Sequence, residues 1–252
     1  MHSSNRRLRA CGVHLGVSLI VAALAAALVF GLWYPYPYRE LSGGRSLFLL
    51  VVAVDVVMGP LITLVVFNDK KPRRELVVDL SIVGALQLAA LCYGLWTVSV
   101  ARPVHLVFEY QRLSVVHASD VDPEILAKAE PALQSLPWTG PTLLALRPFR
   151  SSSERMEATL AALSGASLPA RADLWQSYEA SRTEILETSR PLSELIGRQP
   201  GFAGLLTDAA QATGLSVDTL RYLPVHGRSV IWTALLDPQT LRPLRFVPMD
   251  PY

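Results

Sequence analysis

Three apolar stretches dominate the first hundred residues. Ala10 to Tyr38 contains no Asp, Glu, Lys or Arg. Its apolar centre, Val13 to Trp33, matches the ~20 residues that a bilayer crossing requires. Ser46 to Asn68 carries a single charge, Asp55, and Leu80 to Ala101 carries none. Each stretch passes the ~18-residue threshold for a transmembrane helix. Helices buried in soluble proteins usually run ~8–20 residues and keep a polar face. The pattern therefore predicts three membrane spans, over about 11–33, 46–67 and 80–100.

Beyond Ala101 the pattern shortens and mixes. Pro103 to Tyr110 and Leu113 to His117 read as strands separated by Gln111-Arg112. Asp122-Pro123-Glu124 opens a helix predicted to run to about Gln134, with proline at its first position. Ser151-Ser152-Ser153-Glu154 is a capping-box pattern for a helix ending before Gly165. Ala172 to Glu187 reads as helical, and a short helix follows Pro191. Leu205 to Thr213 reads as a helix closed by Gly214. Arg228 to Leu236 and Leu241 to Val247 read as a strand pair around Asp237-Pro238-Gln239-Thr240, a type I turn. Fold class and domains follow: an α-helical membrane domain over 1–101, then one α+β domain over 102–252.

Composition agrees with this division. Of 252 residues, 51% are hydrophobic and only 17% charged, against about 25% charged in an ordinary soluble domain. Residues 1–101 hold 9 Lys and Arg against 5 Asp and Glu, a net +4, and the remainder is −2. The overall charge of +2 is too small to suggest a nucleic-acid partner. Arg6, Arg7 and Arg9 precede the first span, and Lys70, Lys71, Arg73 and Arg74 lie between the second and third. Lys and Arg concentrate on the cytoplasmic side. The N-terminus and the 69–76 loop are thus expected inside, with 102–252 outside, in the periplasm of a bacterium. Trp33, Tyr34, Tyr36 and Tyr38 would form an aromatic belt at the outer surface. Ala25-Ala26-Ala27 has the look of a signal-peptide cleavage site. The apolar run continues past it to Trp33, which favours an anchor. The two cysteines, Cys11 and Cys92, fall in spans, so no disulfide framework is expected.

Chemistry-bearing motifs are absent. There is no G-x-S-x-G, Walker loop, H-E-x-x-H or C-x-x-C. His105 and His117 could converge on neighbouring strands, but no carboxylate has ligand spacing to them, so they read as packed histidines. Glu184 and Glu187 read as a solvated helix face. The sequence implies no enzyme, no cofactor and no metal site. A membrane-anchored periplasmic enzyme or a small transporter subunit are the alternatives. The first would need a polar catalytic cluster, the second a longer intramembrane pathway.

One feature differs in kind. Asp55 lies near the middle of the second span, where translocon-based scales put the cost of Asp at about 2.5–3.5 kcal/mol. Gly59 at i+4 and Thr63 at i+8 share its face, and the adjoining Pro60 removes a backbone donor, so a kink is expected. Small residues let helices approach closely in lipid. Asp55, Gly59, Pro60 and Thr63 are therefore candidates either for packing inside the bundle or for docking a partner helix. Depth narrows the internal partners. Asp55 is roughly 20 Å from the cytoplasmic end of its span, Gln87 roughly 12 Å and His14 roughly 8 Å, at 1.5 Å per residue. Gln87 is the closer match and joins the candidate set.

Asp55-Val56-Val57-Met58-Gly59-Pro60-Leu61-Ile62-Thr63-Leu64-Val65-Val66-Phe67-Asn68 resembles the second-span signature of the type IV pilin accessory proteins, the TfpX/TfpZ family. The likeness continues through the basic turn to Arg74, Asp79-Leu80-Ser81, Gln87-Leu88, Tyr93-Gly94 and Ala101-Arg102-Pro103-Val104-His105-Leu106-Val107-Phe108. It is dense over about 10–117, and Leu223-Pro224 and the final hairpin look similar to the family's C-terminus. The resemblance implies an inner-membrane, pilin-specific chaperone or assembly factor without enzymatic activity. Its partners would be a type IV pilin, other pilus assembly proteins and the lipid bilayer. The resemblance assigns no pilin-contacting residues.

Overall fold

The computed structural model describes residues 2–67 and 71–252, with side chains from Arg7 onward. Asn68, Lys70 and the Arg6 side chain, used in the reading above, lie outside the described residues. Among the described residues, three helices are long and apolar enough to cross a membrane: Arg7–Trp33, Gly44–Val66 and Arg73–Val100. They form the first, second and third spans. Each is lined outwardly by large apolar side chains, such as Leu24, Leu50 and Leu86. In water such exposure would be costly, while in hydrocarbon it is neutral.

The chain divides into two compact units. One holds the spans, up to Pro35 together with Gly44–Ala101, and the other holds Tyr36–Gly43 together with Arg102–Tyr252. The split after Ala101 coincides with the composition change. The segment 36–43 departs from the sequence-order assignment, which placed it with the spans. Its helix α1 (Tyr38–Leu41) carries Leu41 into the core of the second unit, fully buried beside Leu106, Phe108 and Leu223. The Leu41 carbonyl accepts the Arg228 N–H at 2.8 Å. Gly227 leaves room for this, because a Cβ there would overlap the Leu41 backbone. Tyr38 packs edge-on against Phe246, with ring centroids 6.1 Å apart, instead of joining an aromatic belt. Burying a leucine contributes about 2 kcal/mol towards holding the segment in place.

The second unit is built on a mixed sheet. Its strands are β1 (Pro103–Glu109), β2 (Arg112–His117), β3 (Thr142–Leu146), β4 (Trp175–Ser177), β5 (Arg190–Pro191), β6 (Arg221–His226), β7 (Ile231–Leu236) and β8 (Pro243–Val247). The order is β4-β3-β1-β2-β6-β7-β8, with β5 also on β6. The β1–β3 and β2–β6 pairings are parallel and the others antiparallel. Alternation along β1 sends Leu106 and Phe108 to one face and Val107 to the other. Both faces are covered, so β1 is buried throughout.

Two helices expected from sequence are corrected. The helix expected over 122–134 stops at Leu126. Pro131, which can neither donate nor extend a helix, instead opens a 3-10 turn, Pro131–Leu133. The helix expected over 172–187 begins only at Arg182 and ends at Thr188. Before it, Trp175 to Ser177 form β4. Trp175 is buried, and its indole N–H donates to the Pro169 carbonyl at 2.8 Å. Burial of that ring outweighs local helix propensity. Strands β3 and β6 went unread. Pro224 sits inside β6, and the parallel pairing with β2 begins only after it, at Val225, so its missing N–H is not needed there.

His105, 3% exposed, packs its ring against Trp175 with centroids 4.5 Å apart. Its Nδ1 lies 2.7 Å from the Thr142 hydroxyl. Burial lowers its pKa to about 4, so the native ring is neutral. The unfolded chain, titrating near 6.5, binds more protons between the two values. This contribution is complete above about pH 6.5 and is lost as pH falls towards 4. Between pH 7 and pH 4, the stability of the wild type relative to His105→Gln should drop by on the order of 3 kcal/mol. Denaturant titration in detergent checks this, and parallel pH profiles for the two proteins would contradict it.

Candidate functional site

The second span lies at the centre of the membrane unit, with the first and third spans each packed on it. Midway along it the helix changes hand-hold. Gly44–Ala53 is α-helical, Val54–Met58 is a π-helical turn, and Gly59–Val66 is α-helical again. In a π turn the N–H of residue i bonds to the carbonyl of residue i−5. The partner expected for the Asp55 carbonyl is therefore residue 60, which is proline and has no N–H. Hydrocarbon supplies no water to replace it. The replacement comes from the third span, where Gln87 Nε2 donates to the Asp55 carbonyl at 3.3 Å. Gly59 makes that reach possible, because a Cβ there would overlap the Gln87 amide.

Asp55, Gly59, Pro60 and Thr63 are all buried, so the whole face is turned into the bundle. At its lower end Thr63 Oγ1 lies 2.5 Å from His14 Nδ1 on the first span. The structure thus brings Gln87 to Asp55, as depth suggested, but to the backbone carbonyl and not the carboxyl. The His14–Thr63 pair went unread. Its signal was present: His14 is five residues beyond Arg9, and Thr63 five before Asn68, which gives both a depth of roughly 8 Å. The Asp55 carboxyl is 8% exposed, and its Oδ1 has no hydrogen-bond partner among the described residues.

The sheet domain uses its buried polar groups in separate pairs. Glu109, 2% exposed, accepts from the Ser114 hydroxyl at 2.6 Å and from Arg112 Nε at 2.9 Å. His117 Nδ1 lies 2.9 Å from Asp120 Oδ2, away from the Thr142 and Trp175 partners of His105. Pro103 stands opposite His117, and Val116 opposite His105, so the two histidines are not brought to a shared ligand. Among the described residues, no group of three or more His, Cys, Asp or Glu could hold a metal ion.

Known proteins are similar to this chain along most of its length. A fimbrial assembly protein of serogroup I from Dichelobacter nodosus is 34% identical over 231 residues, covering 90% of this chain and 89% of that protein. A serogroup E1 fimbrial assembly protein of the same organism is 32% identical over 228 residues, covering 90% and 89%. The chain belongs to the fimbrial assembly protein family. The family model for fimbrial assembly protein FimB matches residues 2–43, which take in the first span and the α1 segment. A third fimbrial assembly protein, of serogroups C1 and C2, is 40% identical over 110 residues, covering 44% of this chain and 84% of that protein. No solved structure matches.

The knot around Gly59 carries a direct expectation for this fimbrial assembly family member. Gly59→Leu should expel the Gln87 amide, orphan the Asp55 carbonyl and lower the amount of protein in membranes, read by immunoblot. Asp55→Asn keeps the shape and the backbone carbonyl, so it should be the milder change. The reverse order of severity would contradict this packing.

Proposed function

We propose that this protein is an inner-membrane accessory factor that helps a type IV pilin, the fimbrial subunit, reach assembled fimbriae, acting as a pilin-specific chaperone with no catalysis of its own. The observation that carries the reading is the match to fimbrial assembly proteins along 90% of the chain. The three apolar spans and the folded α+β domain suit a factor that meets a membrane-held subunit both within the bilayer and beside it.

The proposed orientation places the N-terminus in the cytoplasm and residues 102–252 in the periplasm. Arg7 and Arg9, before the first span, and Lys71, Arg73 and Arg74, before the third, support it through the bias of Lys and Arg to the cytoplasmic side. Residues 36–43 bear on the number of crossings. They belong to the same packed unit as 102–252, so both must lie on one side of the bilayer. A chain that crosses three times meets that condition from either side, and the cytoplasmic start rests on the Lys and Arg placement.

Two measurements test this reading. A reporter fused after Tyr252 should be active only in its periplasmic form, and cytoplasmic activity would overturn the orientation. Deletion should reduce surface fimbriae while the transcript of the subunit stays unchanged. Normal fimbriation in the deletion strain would overturn the assembly role.

A further inference from the structure

The first and third spans each pack on the second, and between them a cleft of about 190 Å³ stays open. Val17 and Ser18 come from one wall, Gly84 and Leu88 from the other, and Asp55 of the second span also lines it. Two observations give this cleft a chemistry. The first is the Asp55 carboxyl. It sits at mid-membrane, 11 residues from Gly44 and 11 from Val66, the ends of its span. It is 8% exposed, with Oδ1 lacking a partner among the described residues. The bonds made nearby go elsewhere: Gln87 Nε2 donates to the Asp55 carbonyl, and His14 pairs through Nδ1 with Thr63. An enclosed carboxyl oxygen without a donor is costly in hydrocarbon. The second is the wall opposite Ser18. A Cβ placed on Gly84 meets nothing within 4 Å, so a backbone can approach the third span closely there.

From these we infer that the cleft between the first and third spans receives a transmembrane helix of the fimbrial subunit, which presents a hydrogen-bond donor to the Asp55 carboxyl at mid-membrane depth. This rests on the assembly role proposed above. It moves the contact surface away from Gly59 and Thr63, whose contacts are made within the bundle, to Asp55, Gly84 and Leu88. The occupant is specified by complementarity: apolar along its length, small enough at one point to lie against Gly84, and carrying an amide, hydroxyl or cationic donor level with Asp55. A second copy of this chain and a lipid acyl chain are the competing occupants.

Photo-crosslinking in native membranes decides among them. A photoreactive residue at Leu88, inside the cleft, should capture the fimbrial subunit through its membrane helix, identified by mass spectrometry of the crosslinked peptide. The same probe at Leu86, 67% exposed and outside the cleft, should not. Gly84→Leu fills open space, so the chain should accumulate normally while the Leu88 crosslink and surface fimbriae are lost. Asp55→Leu should weaken the crosslink by about three- to tenfold, the value of one intramembrane hydrogen bond, and Asp55→Asn, which keeps an acceptor, by less. Capture at Leu88 of a second copy or of lipid alone overturns the proposal. So does wild-type fimbriation of the Gly84→Leu strain. If Gly84→Leu reduces abundance, the Leu88 and Leu86 probes in the otherwise unaltered chain still decide. Deletion of the whole gene separates the two levels. Loss of fimbriae on deletion, with no effect at the cleft, removes only the cleft, whereas normal fimbriae on deletion remove the assembly role itself.

Discussion

A proline in the middle of a membrane span removes one backbone donor where no water can stand in for it, and here that deficit is met by one side chain of another helix. Pro60 leaves the Asp55 carbonyl without its π-turn partner, Gln87 supplies the donor, and Gly59 supplies the space. The three residues make sense only together. Without the proline the carbonyl would have its own partner, and with any side chain at Gly59 the amide could not enter. The consequence is structural: the third span is registered against the second at the depth of Asp55. The His14–Thr63 contact registers the first span lower down. With both outer spans packed on the central one, a cleft stays open beside Asp55.

The α+β domain is tied to the chain by a different device. Residues 36–43 cross from one span to the next by way of the domain's own core, with Leu41 fully buried. A connection that contributes to the core cannot swing free without opening a cavity, and cavities left by leucine cost about 2.7–5 kcal/mol. The 36–43 segment is thus a structural part of the domain although it lies between two spans in the chain.

Much of this was legible in the sequence, and the illegible part has physical causes. The spans were readable because apolar runs of this length have few other uses. Asp55 stood out because a charge at mid-span is expensive, and Gln87 followed from helical rise alone. The role of 36–43 was hidden because Tyr36 and Tyr38 beside a span look like an interfacial belt, and only long-range packing shows where Leu41 goes. The stretch 172–187 misled because its Ala, Leu and Glu favour helix, while the decisive term is the burial of Trp175 against Pro169 and His105. The cleft depends on which helices abut, which neither periodicity nor depth reveals.

The claim that Gly59 and Gln87 act as one unit is tested most directly by a double-mutant cycle on unfolding in bicelles. Gly59→Ala should destabilise the otherwise unaltered protein by pushing the Gln87 amide from the Asp55 carbonyl. In a Gln87→Ala background the same change has nothing left to displace and should cost close to nothing. The account predicts a coupling of about 1 kcal/mol between the two positions. Strict additivity, with Gly59→Ala equally costly in both backgrounds, would contradict it.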